Sequence, residues 1–131
     1  WNLPQTALDI LLFLANNPGY DTARDICRIR GIKANLVSFH VEKLVQAGYL
    51  QREAVPGDRR RVKLLLTEKS RNVVEQGRAV QQSYREILTA HISPSDMEAF
   101  GRCMDTMRQN IEDAKRTGTK IKLTEKGDKK R

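Results

Sequence analysis

The chain has 131 residues, with 24 Lys/Arg against 16 Asp/Glu and a formal net charge of +8. That length holds one domain with a real core, with or without an accessory helical part. No apolar run approaches the ~18 residues of a membrane span, and Ala7–Ala15 lacks the basic start and small-residue cleavage site of a signal peptide.

The first predicted element is a helix over Leu3–Ala15, LPQTALDILLFLA. Leu8, Leu11, Leu12 and Ala15 form one stripe, and Ile10, Phe13 and Leu14 carry it round most of the circumference. A helix apolar nearly all round is buried on several sides. Asn17-Pro18-Gly19 ends it. A short helix follows over Thr22–Arg30, with Thr22 as N-cap and Asp25 three residues on, close to a capping box. Ile26 and Ile29 are expected to face inward, and Gly31 to end the helix. After the brief turn Ile32-Lys33, a third helix spans Ala34–Ala47, ANLVSFHVEKLVQA. Val37, Val41, Leu44 and Val45 recur at helical period. The opposite face carries Asn35, Ser38, Phe39, Glu42 and Lys43. Gly48 fits a left-handed cap just past the end.

Helix, tight turn, helix is the helix-turn-helix arrangement, whose second helix enters the major groove of DNA. Two strand-like runs follow, Tyr49–Glu53 and Val62–Leu66. The loop Ala54–Arg61, AVPGDRRR, carries turn chemistry at Pro56-Gly57-Asp58 and three consecutive arginines near its tip. A polar-faced helix beside an arginine-tipped hairpin suits two neighbouring grooves of one duplex. On pattern alone the same residues equally fit a solvated surface.

A long helix is predicted from Thr67 to about Ala90, its thin apolar face (Val73, Val74, Val80, Tyr84, Ile87, Leu88) broken by Gly77. Ser93-Pro94-Ser95-Asp96 is a helix start, with Ser as N-cap, Pro at N1 and Asp at N3. That last helix is expected to reach about Ala114, with Met97, Phe100, Cys103, Met104, Met107 and Ile111 on one side. A small three-helix module cannot cover both stripes. A partner chain is the expected cover, and a helical hairpin within the chain is the alternative. Residues 115–131 read as a disordered basic tail, able to add non-specific phosphate contacts.

The charge is unevenly placed. Residues 115–131 hold eight basic and two acidic side chains, residues 21–63 ten and five, and residues 67–114 six and eight. The reading module is therefore basic and the following helices mildly acidic, which points to a polyanion partner for the module. Cys27 and Cys103 lie far apart without a CxxC or Cys/His cluster, as in a reducing cytoplasm. Cys27 reads as packing beneath the third helix, and Cys103 as part of the last stripe. No metal or other cofactor is called for, and no catalytic set is present, so an enzyme is not expected.

The most specific stretch is Gly57–Ser70, GDRRRVKLLLTEKS, supported by Val41–Glu53, VEKLVQAGYLQRE. Through these, the chain from Leu3 to Ala114 resembles the MarR family of bacterial transcriptional regulators. The resemblance implies a mainly α fold with a small β-hairpin wing: a winged helix-turn-helix over residues 1–66, a helical dimerisation region over 67–114, and the tail. It also implies a homodimer that binds a pseudo-palindromic duplex operator, commonly as a repressor, with half-sites ~34 Å apart. A small-molecule effector would change the spacing of the two lobes, and the Met97/Met104/Met107 stripe could line its cavity.

Carried over, Asp58 would salt-bridge Arg60 and hold the wing, and Arg59 or Arg60 would enter the minor groove, with Arg61 beside them at the tip. Asn35, Ser38, Phe39 and Lys43 would face base edges, Asn35 as an adenine reader. Arg24, Lys33 and the tip arginines would meet phosphates. Phe39 stands where the family often has arginine, trading a guanine contact for a thymine-methyl contact. Lys33 stands where a capping Ser is usual. The family's first, dimerising helix has no counterpart after Trp1, so a longer N-terminus is expected. Ser38-x-His40-x-x-x-Leu44-x-x-Ala47-Gly48 is also similar to the recognition helix of ArsR-type metal sensors, but Cys27, His40 and His91 lack ligand spacing. A winged-helix module that binds protein or RNA is the remaining alternative.

Overall fold

The computed structural model describes residues 2–120, in two compact units that divide after Leu88. The described residues form five helices and one two-stranded antiparallel hairpin.

The first unit opens with α1 (Gln5–Asn16), and Ala7, Ile10, Leu11, Leu12, Phe13 and Leu14 are all buried. This burial round the circumference makes α1 the central post of the unit. It packs on α3 (Ala34–Gln46) and on β2 (Asp58–Leu66). Ile26 from α2 (Ala23–Arg30), Val37, Val41 and Leu44 from α3, Leu50 from β1 (Leu50–Val55) and Leu64 from β2 complete the core. Val73 and Val74 from α4 (Glu68–Thr89) close it. Each fully buried aliphatic side chain contributes about 1.5–3 kcal/mol relative to exposure.

The caps are those the residues predict. Thr22 Oγ1 accepts the Asp25 N–H at 3.1 Å, and Asp25 Oδ2 accepts the Thr22 N–H at 3.2 Å. Gly31 and Gly48 both take positive φ, 67° and 82°, just beyond α2 and α3. Lys33 is the N-cap of α3 and, having no acceptor in its side chain, leaves that helix without a side-chain cap.

Three expectations are corrected. Ile29 is exposed, because α2 is only eight residues long and buries a single side chain, Ile26. The wing strands are longer than expected and meet at a two-residue turn, Pro56-Gly57, so all three arginines lie in β2 itself. The register slips there: Ala54 faces Val62, and Val55 faces Asp58. Three extra residues, Arg59–Arg61, thus bulge from β2. Gly77 is no weak point in α4. A Cβ there would lie 2.8 Å from Leu12 Cδ2, so its bareness is what lets α1 and α4 close together.

Farther along α4, Val80, Tyr84, Ile87 and Leu88 are 65–77% exposed. In the second unit α5 (Pro94–Thr117) starts as predicted, with Ser93 Oγ accepting the Asp96 N–H at 3.1 Å. It runs three residues beyond Ala114 to a left-handed Gly118. Residues 121–131 of the basic tail lie outside the described residues. No residue of α5 is buried: Phe100, Cys103, Met104, Met107 and Ile111 are all exposed.

Candidate nucleic-acid interface

The outward face of α3 follows from its inward one. With Val37, Val41 and Leu44 buried, helical period leaves Asn35, Ser38, Phe39, Glu42 and Lys43 exposed. Phe39 is not loose. The His40 ring meets it edge-on at 5.2 Å, and Lys43 Nζ stands 5.7 Å from its centroid.

The wing is tied to this face by a pair that sequence reasoning missed. Arg52 of β1 donates to Glu42 Oε2 of α3 at 2.7 Å. That hydrogen bond, followed by the charge of the same guanidinium, holds the Glu42 carboxyl below the usual glutamate range. The two residues lie ten apart, and nothing in the sequence marks them as partners. A second tie joins Arg61 of β2 to Asp21 at 3.5 Å, and the Leu64 N–H reaches the Asp21 carbonyl at 2.7 Å. Arg61 is therefore partly spent on holding β2 to the loop before α2. Arg59 and Arg60 are exposed and in no ion pair among the described residues.

Asp58 does hold the tip, but not by the expected salt bridge. Its Oδ1 accepts the backbone N–H of Arg60 at 3.0 Å, an Asx-type turn, and the Arg60 guanidinium stays available. Arg24, Arg60 and Arg61 line one shallow groove with Asp25 and Asp58, about 570 Å³ in volume, between the start of α2 and the wing. Arg59 is not part of it. Thus Asn35, Ser38, Phe39 and Lys43 share the α3 face and Arg24, Arg60 and Arg61 share the groove, while Arg59 and Lys33 lie in neither set.

The far end of α3 is fastened to α4. Thr67 Oγ1 donates to the Gly48 carbonyl at 2.5 Å, and Lys69 Nζ donates to the Ala47 carbonyl at 2.6 Å. Lys69 also lies 4.6 Å from the centre of the Tyr49 ring. A cation at a helix C-terminus satisfies orphan carbonyls and suits the helix dipole. At the end of α1, Arg78 of α4 does likewise, donating to Ala15 O at 2.7 Å and Asn16 Oδ1 at 2.9 Å. Cys27 is partly buried against the core, and the described residues contain no group of His, Cys, Asp and Glu able to hold a metal ion. No described helix is long and apolar enough to cross a membrane.

A helix-turn-helix whose second helix is exposed on one polar face, followed by a hairpin braced against that helix, defines a winged helix-turn-helix protein. The model of the MarR family matches residues 1–61. Similar solved structures include the transcriptional regulator PA3341, at 23% identity and TM-score 0.74, covering 83% of this chain and 80% of that one. A Staphylococcus aureus MepR–DNA complex is similar at 18% identity and TM-score 0.68, covering 84% and 79%. Staphylococcus aureus MarR, in complex with salicylate and kanamycin, is similar at 20% identity and TM-score 0.67, covering 86% and 75%. Comparison with curated proteins gave no match. The family model thus covers a little under half of the chain, and the likeness to these solved structures shows that the chain has a winged-helix fold.

Proposed function

We propose that this chain is a sequence-specific regulator of transcription that binds double-stranded DNA as a homodimer. It sits on a pseudo-palindromic operator as a repressor and is released by a small-molecule effector. The observation that carries the reading is the exposed α3 face with an arginine-bearing wing braced against it through Arg52 and Glu42. Asn35, Ser38, Phe39 and Lys43 address base edges in the major groove. Arg24, Lys33 and Arg61 meet phosphates, and Arg60 or Arg59 enters the minor groove, where A·T tracts attract arginine. The neighbour solved with DNA supports this.

The dimer is supported by apolar side chains that the single chain leaves uncovered: Val80, Tyr84, Ile87 and Leu88 on α4, and Phe100, Met104, Met107 and Ile111 on α5. Such faces fit partner surfaces. An effector is supported by the neighbour in complex with salicylate and kanamycin. The cytoplasm is the matching compartment.

Fluorescence anisotropy at one near-physiological salt tests the reading, with the gene's upstream duplex against a scrambled one. A preference of ~10³ or more is expected of a specific regulator. Equal, weak binding to both duplexes would refute it. Sedimentation of the free chain should give twice the monomer mass.

A further inference from the structure

Two side chains on the exposed ridge of α3 are ill suited to phosphates. Phe39 is 56% exposed, with Leu36 exposed one turn before it on a face that is polar elsewhere, and it contacts the His40 edge and the Lys43 ammonium. Glu42 lies three residues on, a helical neighbour of Phe39. Its carboxylate is fixed at both oxygens: Arg52 donates to Oε2 at 2.7 Å, and Gln46 Nε2 donates to Oε1 at 3.2 Å. A negative group would be repelled from a duplex unless it found a donor there.

The major groove offers few partners for such a pair. Thymine alone among the four bases carries a methyl group on that edge, a natural contact for a phenyl ring. An ionised carboxylate only accepts hydrogen bonds. Guanine shows N7 and O6 and thymine shows O4, all acceptors, so both repel it. Adenine's N6 amine stands beside its N7 acceptor, which penalises a carboxylate. Cytosine's N4 amine is a donor without that neighbour. Arg52 fixes the carboxylate and offsets its charge near the phosphates.

We propose that α3 reads a pyrimidine-bearing strand: Phe39 packs on a thymine 5-methyl group, and Glu42, positioned by Arg52, accepts from the N4 amine of a neighbouring cytosine. This rests on the DNA-binding reading above and names the bases that the α3 face selects.

The test begins with selection of random-core duplexes on the 131-residue chain, followed by anisotropy on the consensus duplex. Each thymine is then replaced by deoxyuridine, which removes only the methyl group. At one position per half-site this should weaken binding about fourfold, and about fifteenfold when both half-sites are changed, the worth of one buried carbon per site. Phe39→Ala should bind the thymine and uracil duplexes equally. Glu42→Gln should move the preferred base at the neighbouring position from cytosine to adenine, which glutamine bonds through N6 and N7. Arg52→Met should blunt the cytosine preference and leave the thymine-to-uracil ratio unchanged. The side chains of Arg52 and Glu42 are 44% and 51% exposed, so these variants should fold, as thermal melts would verify.

The proposal is overturned if no uracil position matters, if the ratio survives Phe39→Ala, or if the cytosine preference survives Glu42→Gln. A selection that enriches no sequence is a different result. It refutes the DNA-binding reading itself.

Discussion

Raising the salt concentration should weaken duplex binding with a steepness set by the cations that are exposed and unpaired. Apart from Lys43, which stands over Phe39 and is assigned to base edges, four stand out on each chain: Arg24, Lys33, Arg59 and Arg60 are exposed and form no ion pair among the described residues. If each meets one phosphate, a dimer neutralises about eight, and log K should fall against log[salt] with a slope of about −7. Between 50 and 200 mM salt that is a loss on the order of 10⁴ in affinity. Arg60→Ala should flatten the slope by about 2 for the dimer, one contact from each half. Arg61→Ala should flatten it less, because Arg61 already pairs with Asp21. Anisotropy titrations at four or five KCl concentrations measure all three slopes. A slope shallower than about −3 would mean that the groove and wing do not engage the backbone. An unchanged slope in Arg60→Ala would remove that residue from the interface.

Other outcomes follow from the packing and caps. Thr22→Ala removes the side-chain acceptor of the α2 capping box, leaves the Thr22 backbone N–H to Asp25, and should lower stability by about 1 kcal/mol in urea unfolding. Gly101→Ala in α5 meets nothing within 4 Å and should raise stability by about 0.8–1 kcal/mol through helix propensity. Gly77→Ala gains the same propensity but drives a methyl into Leu12, an overpacking cost of about 1–3 kcal/mol, so its melting temperature should fall below that of Gly101→Ala. The Glu42 carboxyl is held below its ordinary range by Arg52, so whatever it contributes to stability is present above the unfolded value and lost as pH falls through the folded one. Carboxyl-carbon NMR should show the Glu42 titration midpoint rise in Arg52→Met.

What could be read from the sequence was local. Thr22 with Asp25, Ser93 with Asp96, and the glycines after α2 and α3 speak through neighbours three or four residues away. The helices therefore appeared in the right order with ends close to those observed, whereas β2 begins four residues before the expected Val62. The missed features depend on distance along the chain. Gly77 looks like a flaw until Leu12 is seen against it, and Arg52 looks like one more exposed cation until Glu42 is found beside it. The Asp58 error had another origin. The family resemblance implied a charge pair with Arg60, but in the fold the Asp58 carboxylate accepts the backbone N–H of that arginine instead. Ile29 fits the period of α2, yet that short helix buries only Ile26. The exposed face of α3 was legible because burial of Val37, Val41 and Leu44 dictates it.

The fastening of α3 to α4 has a mechanical meaning. Thr67 and Lys69, at the start of α4, hold the carbonyls of Gly48 and Ala47, directly beyond the last turn of α3. No slack loop separates the two helices at that joint. If α4 tilts, it drags the end of α3 with it, like a crank welded to its shaft. In a dimer joined through its long helices, a small change of angle between the two copies of α4 would become a change in the reach between the two copies of α3. On the proposed reading, duplex DNA fixes that reach at one helical turn, and the joint then makes the bound duplex a gauge of the dimer's posture.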